Sequence, residues 1–463
     1  MTSIEALASA ANIPRDTVRS WLATVPEASG TFAVDRDTCG AFWLRSRQLI
    51  ERLPPKPKRN AAEARLGEEV HSTARQSRAR FLARHVEAVY SALTQDFSAF
   101  VRVEDLVRNA AVAFPGLVPA VDQIAAEADT LQGHKDGLEI DQGILLAQIL
   151  GHERAGNHLV HAMLLPRPES ADHLQRFERD GVLSLGAARL ERRGRAVHLI
   201  ASNPRFLNAE DQTTLDNMEI AVDVAILDSG SNIAVLRGST VEHPKYTGRR
   251  LLGSGINLTH LYQGRIPFVW FIQRELGFVH KFLRGVASAD VFPDDVHGTA
   301  TEKPWIAAVE GFAIGGHCQV LLTMDFIVAA NDAFMTLPAR KEGIIPGVSN
   351  LRLPRFVGDR IARQAIQYER RIDCDSPEGR LICDEITPPD DMDATLDRVA
   401  ARLTSSGAVG AIANRRAFRV GQEPIELFRR YMAVYAREQA YCHFSPALIA
   451  NLEQYWDAQN RKG

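Results

Sequence analysis

The stretch KPWIAAVEGFAIGGHCQVLLTMDFIVAA, residues 303–330, decides the fold. From Pro304 to Gly311 it is a short apolar run closed by glycine, which reads as a strand. Gly315 and Gly316 then open an apolar helix, and Phe326–Ala330 reads as the next strand. A Gly-Gly pair at a strand-to-helix turn aims free N–H groups and the positive end of a helix at one point. Working upstream, Ala196–Ile200 and Ile233–Gly238 also read as strands, with a helical stretch at Ile220–Leu227 between them. Strands alternating with helices predict parallel βαβ units, an α/β fold. A second glycine-rich turn, LGSGINL at 252–258, follows the strand at 233–238. Glycine lets backbone approach a ligand closely, so two such turns facing each other would form an oxyanion hole. Either turn alone reads as an ordinary tight turn.

The first part of the chain has a different character. Ala61–Tyr90 is rich in Ala, Glu and Arg and contains no Pro, which predicts a long helix. Helices are also expected over Val103–Ala113, Val121–Leu131 and Asp141–Leu165, with Pro54–Arg59 as a stiff basic linker. The tail from Leu403 reads as helical again. The expected organisation is a helical extension over 1–195, a core over 196–400 and a helical region over 401–463.

Composition narrows the function classes. Lys and Arg number 54 against 57 Asp and Glu, a formal net charge of -3, so no basic excess calls for nucleic acid. No apolar run is long enough to span a bilayer, and the start of the chain lacks the pattern of a secretory signal. The five cysteines are scattered and never form a CxxC pair, which argues against zinc or a disulfide framework and for a reducing, cytoplasmic setting. His152, Glu153, His158 and His161 cluster in one helical stretch but lie outside the core, and they are expected to be packed or solvated rather than to hold iron.

In order and spacing, residues 303–330 resemble the central signature of the crotonase (enoyl-CoA hydratase/isomerase) superfamily. The match continues through Glu342-Gly343-Ile344-Ile345-Pro346-Gly347, and upstream through Asn203-Pro204 with Asn208-Ala209 and through Ser254-Gly255-Ile256-Asn257-Leu258. The resemblance covers roughly residues 196–425. It implies a ββα spiral core and an acyl-CoA thioester as ligand. It places the oxyanion donors at the backbone N–H groups of Ile256 and Gly316. It also puts His243, Pro244, Lys245 and Tyr246 beside the CoA chain, with Ser254, Gly255, Asn257, Leu258, Thr259 and Gly315 around the thioester. Relatives of this kind form trimers or dimers of trimers, so a homo-oligomer is expected.

The departures carry information as well. The two positions where hydratases place glutamate read Gln319 and Ala339. A neutral amide cannot serve as the base that activates water, so hydration is not expected. The third position of the glycine turn is His317, expected to be a packed histidine. The long helical extension, Gln319 after Gly-Gly-His-Cys, and Arg274 together resemble the family's cofactor-independent dioxygenases of arylacetyl-CoA thioesters. That resemblance implies Glu210, Arg274 and Gln319 as site residues, with O2 as cosubstrate and no metal or organic cofactor. The implied reaction converts 3,5-dihydroxyphenylacetyl-CoA and O2 to the arylglyoxylate and free CoA, a step towards an antibiotic precursor. Without the resemblance, Arg274 reads as a surface helix charge and Glu210 as an acid at a helix start. Other crotonase activities, such as isomerase or thioesterase, and a non-catalytic acyl-CoA-binding subunit are the competing readings.

Overall fold

The computed structural model describes residues 4–291, 300–405 and 408–461. The chain forms two compact units. One comprises Met1–Leu159, Tyr262–Val269 and Met432–Ile449; the other comprises Val160–Leu261, Trp270–Tyr431 and Ala450–Gly463.

The first unit is helical. Its longest helix, Ala61–Leu93, begins in a capping box: Asn60 accepts from the Ala62 and Glu63 amides, and Glu63 accepts from the Asn60 amide. Val103–Ala113 is a helix as the sequence predicts. The helix expected over 121–131 ends at Ala126, and the stretch expected over 141–165 breaks at His152 into Ile140–Gly151 and Glu153–Leu164. The basic segment 54–59 is not a free linker. Lys56 Nζ donates to the Lys135 carbonyl at 2.7 Å, and the buried Arg59 forms a two-pronged pair with Asp136. These bonds dock the segment and satisfy its charges. Both ring nitrogens of His158 are engaged, with the Tyr90 hydroxyl and the Phe97 carbonyl.

The second unit is α/β. A seven-stranded sheet runs in the order 182–184, 188–193, 196–201, 233–238, 305–309, 326–330, 385–387. Its first two pairings are antiparallel, and the remaining four are parallel. The expected strands at 196–200, 233–238, 304–311 and 326–330 are all present, the third as Trp305–Val309. Ile233–Gly238 and Trp305–Val309 are buried along their whole length, as parallel strands covered on both faces require. A smaller sheet sets Phe312–Ile314 parallel to Phe334–Thr336, and this second layer carries the chain from the main sheet to the glycine turn. Helices follow from Met392 through Trp456, with residues 406–407 outside the described part. No described helix is long and apolar enough to cross a membrane.

Candidate active site

The two glycine turns face each other. Residues 253–257 form a strap between two neighbours. On one side Gly253 bridges Ala313: the Ile314 amide donates to the Gly253 carbonyl at 3.0 Å. On the other side the Glu210 amide donates to the Gly255 carbonyl at 2.7 Å and the Asn257 amide donates to the Glu210 carbonyl at 2.8 Å. That pattern uses the Gly255 carbonyl and the Asn257 amide but not the Ile256 amide, so the Ile256 N–H is directed away from Glu210. Neither the Ile256 nor the Gly316 amide has an acceptor among the described residues. Gly255, at φ 83°, brings the turns together: a Cβ there would stand 2.9 Å from the Ile314 carbonyl and 3.2 Å from the Gly316 amide. Two unspent N–H groups on adjoining turns are the raw material of an oxyanion hole.

His317 braces the strap. Its Nδ1 accepts from the Gly255 amide at 3.1 Å, and burial lowers its pKa, which keeps the ring neutral and able to accept. Gly253 is glycine for this reason, since a Cβ there would lie 2.3 Å from the imidazole. The packed-histidine reading therefore describes the position of His317.

Glu210, Arg274 and Gln319, far apart in sequence, converge behind the Gly316 turn. Arg274 Nε donates to Glu210 Oε2 at 2.6 Å and Nη2 to Oε1 at 3.1 Å, a bidentate pair. Nη2 also donates to the Gly316 carbonyl at 2.8 Å, while Nη1 donates to Gln319 Oε1 at 2.9 Å and Glu275 Oε1 at 2.5 Å. Arg274 is 3% exposed, so it is not the surface helix charge it resembles in isolation, and Glu210, 7% exposed, stands five residues ahead of the helix Leu215–Leu227 rather than in its first turn. Arginine has five N–H donors, and these five bonds occupy them. Arg274 therefore ties together Glu210, Glu275, Gln319 and the Gly316 carbonyl. Gln319 is held by its oxygen, so its NH2 is the free end, able to donate and unable to take a proton. Gly316 leaves room for the pair, because a Cβ there would meet Glu210 Oε2 at 2.7 Å and Arg274 Nη2 at 2.9 Å.

The remaining expected residues take varied positions. Tyr246 packs edge-on against Phe312 at 5.5 Å and joins the apolar cluster of Val241, Leu251 and Phe312. His243 lies 5.5 Å from the Tyr246 ring, and Lys245 Nζ lies 5.2 Å from its centroid. The loop through Pro244 thus borders the strand that leads into Gly315. Several side chains of the strap are engaged within the protein. The Ser254 hydroxyl donates to the Phe206 carbonyl, Asn257 Nδ2 donates to Asp211 Oδ2 at 3.0 Å, and Thr259 Oγ1 accepts from Trp456. Leu258 begins the short helix Leu258–Tyr262. What this strap has to offer a ligand is its backbone. Beside Glu210 lies a small cavity of about 10 Å³, the space of roughly one water molecule, whose walls include Met218, Trp270, Phe278 and His317. Among the described residues no group of three or more His, Cys, Asp or Glu is placed to hold a metal ion.

Two carboxyls at the site are not singled out by the sequence. Glu275 is buried beside Arg274, its Oε2 has no hydrogen-bond partner among the described residues, and burial raises its pKa. Glu342 ends the short helix Ala339–Glu342, and burial pushes its pKa up to about 7. Glu275 follows Arg274 directly, and Glu342 opens the segment Glu342–Gly347 of the family match; the resemblance assigns a role to neither.

Residues 288–425 match the enoyl-CoA hydratase/isomerase family. The chain is 44% identical over 394 residues to the (3,5-dihydroxyphenyl)acetyl-CoA 1,2-dioxygenase of Amycolatopsis orientalis, covering 85% of this chain and 89% of that one. It is 25% identical over 235 residues to the short-chain-enoyl-CoA hydratase of Clostridium acetobutylicum, covering 50% and 81%. A solved enoyl-CoA hydratase from Mycobacterium avium subsp. paratuberculosis K-10 superimposes with a TM-score of 0.48 at 18% identity, over 60% of this chain and 99% of that one.

Proposed function

The chain belongs to the enoyl-CoA hydratase/isomerase family, and from that premise we propose that it is a dioxygenase converting 3,5-dihydroxyphenylacetyl-CoA and O2 to 3,5-dihydroxyphenylglyoxylate and free CoA. The observation that carries this reading is the 44% identity to the A. orientalis dioxygenase over 89% of that protein. The site chemistry supports it. The thioester oxygen is taken up by the Ile256 and Gly316 amides, where developing enolate charge is stabilised away from water. The α-carbon is benzylic, so the carbanion is delocalised into the ring as well as the carbonyl. Such a carbanion reduces O2 and forms a C–O bond. The resulting peroxide attacks the thioester carbonyl and CoA thiolate leaves. Loss of the second α-proton then breaks the O–O bond: the C–H pair forms the ketone and the O–O pair passes to the carboxylate. Both oxygen atoms end in the product, and no outside reductant is needed.

In this account Gln319 donates its free NH2 to the developing peroxide. Arg274 fixes Gln319 and the Gly316 turn, and Glu210 anchors Arg274. The reaction is proposed to need no metal or organic cofactor. Cytoplasmic trimers or dimers of trimers belong to the same reading, with sedimentation velocity as the check on assembly. The test of function is 18O2 labelling with 3,5-dihydroxyphenylacetyl-CoA. Two labelled atoms in the arylglyoxylate are expected; unlabelled 3,5-dihydroxyphenylacetate with free CoA would make the protein a thioesterase instead.

A further inference from the structure

The reaction begins with loss of an α-proton, and the residues assigned so far leave no base for it. Gln319 is an amide. Both oxygens of Glu210 accept from Arg274 and are turned to it rather than to a substrate carbon. Glu275 Oε1 is bonded to Arg274 and the residue is 1% exposed. His317 Nδ1 is occupied by the Gly255 amide.

We propose that Glu342 is the general base that takes the α-proton of the bound thioester. The second sheet delivers it to the site. Phe334–Thr336 pairs in register with Phe312–Ile314, and the Gly315 amide donates to the Thr336 carbonyl at 2.9 Å. The chain then enters the helix Ala339–Glu342, which places Glu342 Oε1 3.7 Å from where a Cβ on Gly315 would stand. Gly315 immediately precedes the Gly316 oxyanion donor. Ala339, the position where hydratases carry their second glutamate, lies three residues before Glu342. Residues so spaced share a helix face, so the carboxyl is displaced by one turn rather than lost. No hydrogen bond or ion pair reaches the Glu342 side chain among the described residues, and it retains 8% exposure. Burial is the only cause acting on its titration. Of the charges on its own helix, Lys341 pairs with Glu369 and Arg340 is exposed; Arg274 and Glu275, which face the same turn, are bonded to each other.

The step balances. A Glu342 oxygen takes the α-hydrogen as a proton, and the C–H pair becomes the enolate double bond. The thioester oxygen carries the charge between the Ile256 and Gly316 amides. Glu342, now a neutral acid, passes the proton to the departing CoA thiolate. A carboxyl titrating near neutral pH suits this task.

The proposal rests on the dioxygenase reading for its substrate, and the test separates the two. Wild-type, Glu342→Gln and Glu342→Asp proteins are given 3,5-dihydroxyphenylacetyl-CoA in D2O without O2, and α-deuteration is followed by mass spectrometry. O2 uptake is measured in parallel, and substrate affinity by calorimetry. General-base assistance contributes roughly 10²–10⁴-fold, so E342Q should exchange at least about 100-fold more slowly at wild-type affinity, with partial recovery in E342D. The alkaline-rising limb of kcat near pH 7 should vanish in E342Q. Exchange in E342Q at the wild-type rate, or E342D as slow as E342Q, would overturn the assignment. Wild-type protein that exchanges the proton through Glu342 yet consumes no O2 would uphold the base and sink the dioxygenase reading.

Discussion

Replacing Arg274 by methionine keeps most of the side-chain volume and removes the charge that holds the site together. Glu210 and Glu275 would be left buried without a cation, Gln319 without the partner of its oxygen, and the Gly316 carbonyl without its donor. Breaking a buried ion pair by removing one member costs about 3–5 kcal/mol, because the remaining charge stays desolvated. On a unit of this size that lowers the thermal midpoint by on the order of 5–10 °C. The cost has a definite pH dependence. Orphaned carboxyls have folded pKa values raised above their unfolded ones, so the penalty is full above the raised values. It fades as pH falls towards the ordinary carboxylate range near about 4.3. Differential scanning calorimetry at pH 8 and pH 5 should therefore show a larger deficit at pH 8. The triple variant Arg274→Met, Glu210→Gln, Glu275→Gln should recover most of it. A deficit below about 1 kcal/mol that is the same at both pH values is what an exposed arginine would give, and it would refute the buried-cluster argument.

Other perturbations read the same geometry. Gln319→Leu should keep thioester affinity and lower kcat by about 10²-fold or more, as loss of one donor to developing charge does; equal loss in affinity would mean that the amide only binds. Gly253→Ala drives a Cβ into the His317 ring, so it should destabilise by roughly 1–3 kcal/mol and impair enolate formation, read as slower α-deuterium exchange; an unchanged rate would mean the brace is dispensable. Because the folded pKa of His317 is depressed, its contribution to stability is present above about pH 6.5, the unfolded value, and is lost as pH falls below it. His317→Asn, which retains an acceptor, should flatten that slope in urea titrations between pH 7 and pH 5, and an unaltered slope would assign it to other groups.

The sequence made the oxyanion turns legible because glycine spacing and strand boundaries are local features. The turns themselves follow from the order of elements, and the family resemblance assigns their donors to Ile256 and Gly316. The convergence of Glu210, Arg274 and Gln319 depends on contacts between positions 42 to 64 residues apart, which no local pattern encodes; the family resemblance supplied the three residues. Glu342 stands at the edge of the segment 342–347 of the family match, beside Arg340 and Lys341, and nothing local there signals its burial. Its burial follows from the tertiary placement of a four-residue helix. The basic segment 54–59 misleads in the same way, since the carbonyl of Lys135 and the carboxylate of Asp136 that fix it are nearly 80 residues on.

The most direct measurement of the account is oxygen uptake and CoA thiol release, followed together, by protein treated with EDTA and given 3,5-dihydroxyphenylacetyl-CoA. The account predicts one O2 consumed per CoA released, at a rate that chelation and added metal leave unchanged. CoA release without O2 uptake, or activity that appears only when iron is restored, would contradict it.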